Sequence, residues 1–333
     1  MKIESGSLLA LSRELRGRAE LGLKRDIQIA ARAFGTSTQS AWFHAPTPIL
    51  NGDDAAALPD GDGYVLFAAE GMRGEFLSAD PWFCGFCSVM VNLNDIAAMG
   101  GRPWAITDVL FMGSGENERV LEGMVAASEA FGVPIVGGHT SRVAGHSFLA
   151  VSVLGKAKRL ISGHSARPGQ ALIVAVDLRG AFRGLGCNFN AATTASSEQL
   201  RRQLALLPEL AEAGLVAAGK DISMAGVCGS LLMMLETSGV GARLDLAALP
   251  APEGVEPFRW LNAFPSFGFV LSVEPSAVAA TCARFAAAGV AAACVGEVTR
   301  EPKLVLEYGA ERAEYWDLAE PLTGFGAERT RAS

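Results

Sequence analysis

From about residue 64 onward, short apolar runs of strand type alternate with longer stretches of helical spacing, and this alternation most limits what the chain can fold into. YVLFAA at 64–69 reads as a buried strand. Ser78-Ala79-Asp80-Pro81 then reads as a helix start, with a capping carboxylate and a proline suited to the first turn. That helix is expected to run through an apolar stretch to Met99 and to stop at Gly100-Gly101-Arg102-Pro103. A strand at 104–111, a helix at 117–131, a strand at 133–136 ending in Gly137-Gly138 and a strand at 147–154 follow. The polar, turn-rich ISGHSARPG marks a boundary near 158–168. Beyond it the pattern predicts a strand at 171–176, helices at 197–218 and 226–237, a strand FGFVLSV, an alanine-rich helix at 276–288 and a final strand at 291–298. Ahead of all this, 7–34 carries one or two amphipathic helices. Strands interleaved with helices imply α/β or α+β layers, not a bundle or a sandwich.

A chain of 333 residues suggests two domains at about 150 residues each. They are expected at 1–158 and 166–333. Half the residues are apolar and 19% are charged, which excludes a disordered solvating chain. The net charge of −7, with no local run of Lys or Arg, argues against nucleic acid as a partner. No window reaches the roughly 20 consecutive apolar residues of a membrane span, and the start becomes charged where a secretory signal needs its apolar core. Six sparse cysteines read as reduced thiols, so a cytoplasmic location is expected.

Three stock signatures fail. No GxGxxG follows a strand, and no GxSxG elbow occurs. Gly214 to Lys220 spells GxxxxGK, but Asp221 stands where a phosphate-binding loop needs a hydroxyl for its metal, and the segment follows a helical stretch. Cys84-Gly85-Phe86-Cys87 is a single CxxC within an apolar helix. It reads as two small buried residues, with a redox or zinc site as the rival reading. His44, His146 and His164 stand alone among loop residues, and Trp82, Trp104 and Trp260 read as packing residues. Phe264, Phe267 and Phe269 read as core, with a pocket lining as the rival.

What remains is a set of acids beside glycines or at the ends of apolar elements: Asp53 and Asp54 in NGDDAAA, Glu70 ending FAAE, Asp95 in NLNDIAAMGGRP and Asp221 in KDIS. Each alone is a solvated turn former. Glu70 at the end of a buried strand and Asp95 inside an apolar helix are costly unless paired or bound to metal. If such acids converge they repel one another, and a hard divalent cation relieves the repulsion. Mg²⁺ binds through one or two carboxylates plus substrate phosphates, so an acidic chain can take an anionic nucleotide with metal as the bridge. Gly137-Gly138-His139-Thr140-Ser141-Arg142 offers the complement: glycines for close backbone approach, two hydroxyls and a guanidinium for phosphate.

At these residues the sequence resembles the aminoimidazole ribonucleotide (AIR) synthetase, or PurM-like, superfamily, which includes thiamine monophosphate kinase, selenophosphate synthetase and the hydrogenase maturation factor HypE. The motifs fall in family order: Gly52-Asp53-Asp54-Ala55-Ala56, then Asn92-Leu93-Asn94-Asp95 through Gly100-Gly101-Arg102-Pro103, then Gly137-Gly138-His139-Thr140, then Asp221-Ile222-Ser223. Asp95 with its downstream Gly-Gly-Arg-Pro is close to the family's D-x4-G-A-x-P, Gly101 replacing Ala.

The resemblance implies a two-domain α+β and α/β fold. Its N-terminal domain pairs strands across a homodimer, and ATP with several Mg²⁺ lies in the cleft between domains. By motif position, Asp53, Asp54, Asp95 and Asp221 would be metal ligands, with Glu70 where relatives usually place an Asp. Gly52, Asn94, Gly137, Gly138, His139, Thr140, Ser141 and Ser223 would contact ATP, and Asp95, Asp221 and Arg142 would act in phosphoryl transfer to a small-molecule acceptor. His139 resembles the GGHT of selenophosphate synthetases, and histidine is a poor Mg²⁺ ligand. Met224 replaces a second Asp of the thiamine monophosphate kinases, and Phe264-Pro265-Ser266-Phe267-Gly268-Phe269 replaces their acidic-aromatic substrate motif. Residues 1–30 lack the reactive Cys of selenophosphate enzymes, and the ending ERTRAS lacks the Cys of a hydrogenase maturation tail. The resemblance thus points to an AIR synthase-related subgroup of its own. A nucleotide sensor or scaffold that has lost turnover is the rival reading.

Overall fold

A computed structural model describes residues 1–38, 49–113, 118–142, 145, 147–184 and 186–326. His44, His146, Asn117 and the loop with Pro46 and Pro48 lie outside the described residues. The chain packs as two units, one of Met1–Asp54, Ile161–Thr193 and Leu210 onward, the other of Ala55–Leu160 and Thr194–Glu209.

Three helices open the chain, α1 (Leu8–Arg16), α2 (Ala19–Arg25) and α3 (Ile27–Phe34), because Gly17 and Asp26 interrupt the amphipathic stretch. Strands β1 (Ser37–Thr38) and β2 (Ile49–Leu50) pair antiparallel. An antiparallel hairpin follows, β3 (Ala56–Asp60) and β4 (Gly63–Met72). After α4 (Gly74–Ala79), the Asp80 carboxylate accepts the Phe83 N–H at 3.3 Å and starts α5 (Pro81–Ala98), which Pro81 enters in its first turn. Then come β5 (Arg102–Met112), α6 (Arg119–Phe131), β6 (Ile135–Arg142) and β7 (Phe148–Ala157).

These strands form one mixed sheet in the order β3-β4-β7-β5-β6, antiparallel throughout except for the parallel β5–β6 pair. Leu66, Ala68, Ile106, Leu110, Leu149, Val151 and Val153 are buried on the face that α5 covers. α5 and α6 cross in backbone contact: a Cβ on Gly85 would lie 2.0 Å from the Val120 carbonyl oxygen, and one on Gly123 1.9 Å from that of Trp82. The opposite face bears Phe67, Val109 and Phe148, exposed by 50%, 38% and 47%.

Three expectations change here. The strand expected at 133–136 runs on to Arg142, because β6 pairs in parallel with β5 as far as Met112 opposite Arg142, so Gly137 to Arg142 is a sheet edge and not a loop. Glu70 is exposed within β4, opposite Val151, rather than buried at a strand end. Trp104 is 57% exposed, with the Lys156 ammonium 5.0 Å from its ring centre.

The other unit continues with β8 (Ala171–Val176), β9 (Ala181–Phe182), β10 (Asn188–Asn190), α7 (Ser197–Glu212, its first part in the β5–β7 unit), β11 (Ala218–Asp221) and α8 (Gly226–Ser238). After these come β12 (Gly241–Asp245), α9 (Pro257–Leu261), β13 (Phe264–Pro265), β14 (Gly268–Val273), α10 (Val278–Ala287), β15 (Ala291–Thr299), β16 (Lys303–Tyr308) and β17 (Glu311–Asp317). Seven strands form a mixed sheet, β11-β14-β8-β15-β12-β16-β17, in which only β12–β16 is parallel. Its core gathers Leu231, Leu232 and Leu235 of α8, Leu172 and Val174 of β8, Leu304 and Leu306 of β16, and Leu8, Leu11 and Leu15 of α1.

Two sequence expectations fail in this unit. α7 stops six residues short of 218: Gly214, at φ +68°, donates to the Ala211 carbonyl and Leu215 to that of Leu210, each at 3.0 Å, and this left-handed turn frees 218–221 to pair with β14. The strand at 291–298 is not the last, because β16 and β17 follow, their buried residues interleaved with half-buried or exposed ones, and they carry too many charges to register as apolar runs.

Candidate functional site

The Gly52-Asp53-Asp54 loop enters the site through a left-handed residue. Gly52 sits at φ +97°, and a Cβ there would lie 2.5 Å from Cβ of Phe325. Its glycine is demanded by backbone conformation and by the Phe325 side chain packed on it. Phe325 is held by the preceding segment, where the buried Glu236 carboxylate accepts the N–H groups of Leu322, Thr323 and Gly324 and the Thr323 hydroxyl, at 2.6–3.1 Å.

Asp53 and Asp54 have different surroundings. Asp53 accepts the Ser162 hydroxyl at 2.6 Å, the Gly163 N–H at 3.0 Å from each oxygen and the Asp54 N–H at 3.2 Å. Both its oxygens are thereby committed to the 162–163 turn, whose Gly163 carbonyl accepts the Thr237 and Ser238 hydroxyls at 2.7 and 2.6 Å. Asp53, expected from the sequence as a metal ligand, organises the loop through these bonds. Asp54 forms an ion pair with Lys220, their side chains 5% and 4% exposed, and its second oxygen accepts the Asp221 N–H at 3.2 Å. Burial by itself would push the Lys220 ammonium down, but Asp54, Asp53 and Asp221 reverse this, so its pKa is raised and it stays charged.

β11 carries Lys220 and Asp221 on a fully buried strand edge, and Asp221 is 6% exposed. One carboxylate oxygen of Asp54 and one of Asp221 lie within 4.8 Å of each other. This donor set is all carboxylate oxygen, the chemistry of a hard divalent cation, so the residues fit such an ion. Beyond Asp221 the chain turns through Ala225 at φ +76°, the one non-glycine residue with positive φ among the described residues, into α8. Strain of this kind is held where surrounding structure imposes it, often at functional sites. Ser223, expected at ATP, accepts Lys24 Nζ at 3.0 Å on its hydroxyl, and its N–H donates to the Ser230 hydroxyl at 3.0 Å.

In the other unit Asp95 and Asn94 lie buried on α5, 6% and 3% exposed. On β6, His139 is exposed and meets the Phe111 ring edge-on at 5.6 Å, and Arg142 pairs with Glu118 at 3.2 Å with both side chains largely exposed. Cys84 is fully buried and Cys87 nearly so, and burial, with Asp80 nearby, pushes the Cys84 thiol up to about 12. A thiol kept protonated in this way is a poor nucleophile, and both cysteines are free and buried, as the packing reading expects. Phe267 and Phe269 are core, stacked edge to face at 4.9 Å.

Lys220, the last residue of the GxxxxGK string, is the buried charge at Asp54 that the motif acids do not signal. The buried Asp177, which accepts Arg179 Nε at 2.9 Å and Nη2 at 2.5 Å, gave no signal at all.

Two mixed sheets backed by helices define a two-domain α+β protein. The model of the AIR synthase related protein N-terminal domain matches residues 52–157 and that of the C-terminal domain residues 167–309. The chain belongs to the AIR synthase related family and has its two-domain fold. It is 45% identical to the Synechocystis protein sll0787 over 91% of this chain and 94% of that one. Thiamine-monophosphate kinase of Synechococcus elongatus is 29% identical over 80% of this chain and 89% of the kinase. Among solved structures, Thermotoga maritima PurL complexed with ADP aligns with a TM-score of 0.74 at 19% identity, over 95% of this chain and 54% of PurL, so this chain spans about half of that protein. AaThiL complexed with AMPPCP and TMP aligns with a TM-score of 0.61 at 16% identity, over 80% of this chain and 91% of that one. Among the described residues no helix is long and apolar enough to cross a membrane.

Proposed function

We propose that this protein is a Mg²⁺-dependent ATP-binding enzyme that transfers a phosphoryl group to a small-molecule acceptor. The observation that carries the reading is the approach of Asp54 to Asp221, 167 residues apart in the chain, at a buried strand edge beside the strained turn at Ala225. Relatives crystallised with ADP and with AMPPCP support a nucleotide as ligand. In this reading Asp54, Asp95 and Asp221 are the metal ligands, and Mg²⁺, when bound, neutralises phosphate charge. Asp53 fixes the loop that aims Asp54. Backbone N–H groups on the open edge of β6, from Gly137 to Ser141, with the Thr140 hydroxyl and Arg142, hold phosphate oxygens. Phosphoryl transfer depends mostly on positioning and electrostatics, so no protein nucleophile is required. A second copy of the chain covers the apolar face of the sheet around Phe67, Val109 and Phe148.

Calorimetric titration of ATP and ADP with and without Mg²⁺ tests the assignment. Mg²⁺-dependent binding in the micromolar to millimolar range is expected, and Asp221→Asn should weaken it at least about tenfold, a loss of roughly 1.4 kcal/mol. Absence of Mg²⁺-dependent binding removes the reading. Met224, in place of a second acid after Ser223, favours the alternative of a nucleotide sensor without turnover. Tight binding with no ADP release against a broad panel of acceptors selects that alternative.

A further inference from the structure

Within the unit that contains the seven-stranded sheet, Asp53, Asp54 and Asp221 are all acidic, yet they are compensated differently. Asp53 is met by hydroxyl and backbone donors of the 162–163 turn and by the Asp54 N–H. Asp54 is met on one oxygen by Lys220 Nζ and on the other by the Asp221 N–H. Lys220 is 3% exposed on a strand whose four residues are all buried, so its ammonium is fixed by the fold rather than swung in from solvent.

We propose that the Lys220 ammonium is a built-in cation of the acidic site, standing where a divalent ion would otherwise be needed to hold Asp54 beside Asp221. This deepens the metal-nucleotide reading and rests on it for the meaning of the site. The ammonium thus offsets part of the negative charge that Asp53, Asp54 and Asp221 bring together. The unit is therefore built to keep its acidic loop closed before any metal arrives. A buried ion pair that loses one partner leaves the other uncompensated, a larger penalty than losing the whole pair.

The test compares the melting of wild type, Lys220→Met, Asp54→Asn and the double variant, without nucleotide, in EDTA and in millimolar Mg²⁺. In EDTA, Lys220→Met should melt roughly 6–12 °C below wild type. Asp54→Asn in the same chain should recover at least half of that loss, and Mg²⁺ should raise the melting point of Lys220→Met by more than it raises that of wild type. The proposal is overturned if Lys220→Met melts like wild type in EDTA, if the double variant is no more stable than Lys220→Met, or if Mg²⁺ gives Lys220→Met no greater gain than wild type. If Lys220→Met does not fold, the double variant decides: a folded double variant supports the charge role, and an unfolded one overturns it. Because no nucleotide is present, failure here leaves ATP binding standing, and failure of ATP binding leaves the Lys220 result standing.

Discussion

At the scale of single residues, burial sorts like groups into different chemistry. Cys84 and Cys228 are both buried, and desolvation pushes each thiol up to about 12, whereas Cys294 is exposed. In the native protein a thiol reagent at pH 8 should label Cys294 and spare Cys84 and Cys228, a pattern that peptide mass spectrometry reads directly. The same shifts make stability depend on pH. An unfolded thiol ionises near its ordinary value of 9.0 while the folded one stays protonated. Stability is therefore intact below pH 9 and falls as pH rises toward 12, by roughly 1 kcal/mol per pH unit for each thiol. Urea midpoints at pH 8 and 10 should show the fall, and Cys84→Ala should remove part of the slope. Glu236 illustrates the opposite case, a buried carboxylate kept in place by four donors from 322–324, so that a charge far from the motifs in sequence sets the position of Phe325 against Gly52.

Among the elements, helix α5 is the most constrained. Its residues from Phe83 to Ala98 are all buried, which is why its sequence is apolar on every side and why Asp95 within it stands out. The close crossing with α6 depends on the absence of a side chain at Gly85 and Gly123. Gly85→Ala should lose about 3 kcal/mol of unfolding free energy, since its Cβ would meet the Val120 carbonyl at 2.0 Å and backbone cannot move aside cheaply. Gly22→Ala provides the control: it lies in α2 with nothing within 4 Å of a new Cβ, and a gain of about 0.5 kcal/mol is expected from helix propensity alone. Chemical denaturation of both variants separates the two effects. The edge strand β6 shows how an element changes its meaning with its partner. Gly-Gly-His-Thr-Ser-Arg reads as a loop in isolation, and pairing with β5 turns it into strand.

For the whole molecule, the open face of the β3-β4-β7-β5-β6 sheet is where assembly would act. Phe67 lies opposite Leu154, Val109 opposite Ala150 and Phe111 opposite Phe148, so one face gathers these apolar residues, with Ser152 and Thr107 between them. Scattered exposed apolar residues are ordinary, whereas a contiguous patch marks an interface. Light scattering on the purified protein should give a dimer mass, and Phe67→Glu with Phe148→Glu should shift it to monomer without loss of secondary structure. A monomeric wild type at micromolar concentration removes the second copy from the proposal.

The order of strands and helices, the start of α5 at Asp80 and the motif acids were legible in the sequence, because capping, glycine stops and apolar runs are local effects that act within a few residues. The polar alternation of β16 and β17, the true end of α7 and the strand character of β6 were not, because each depends on hydrogen-bond partners distant in the chain. The candidate site divides in the same way. That Asp53, Asp54 and Asp221 carry charge follows from residue type alone. Which of them is spent on a turn, which is neutralised by a lysine and which stands beside it on a buried strand were decided only by the tertiary structure, since desolvation and ion pairing exist only once distant segments have come together.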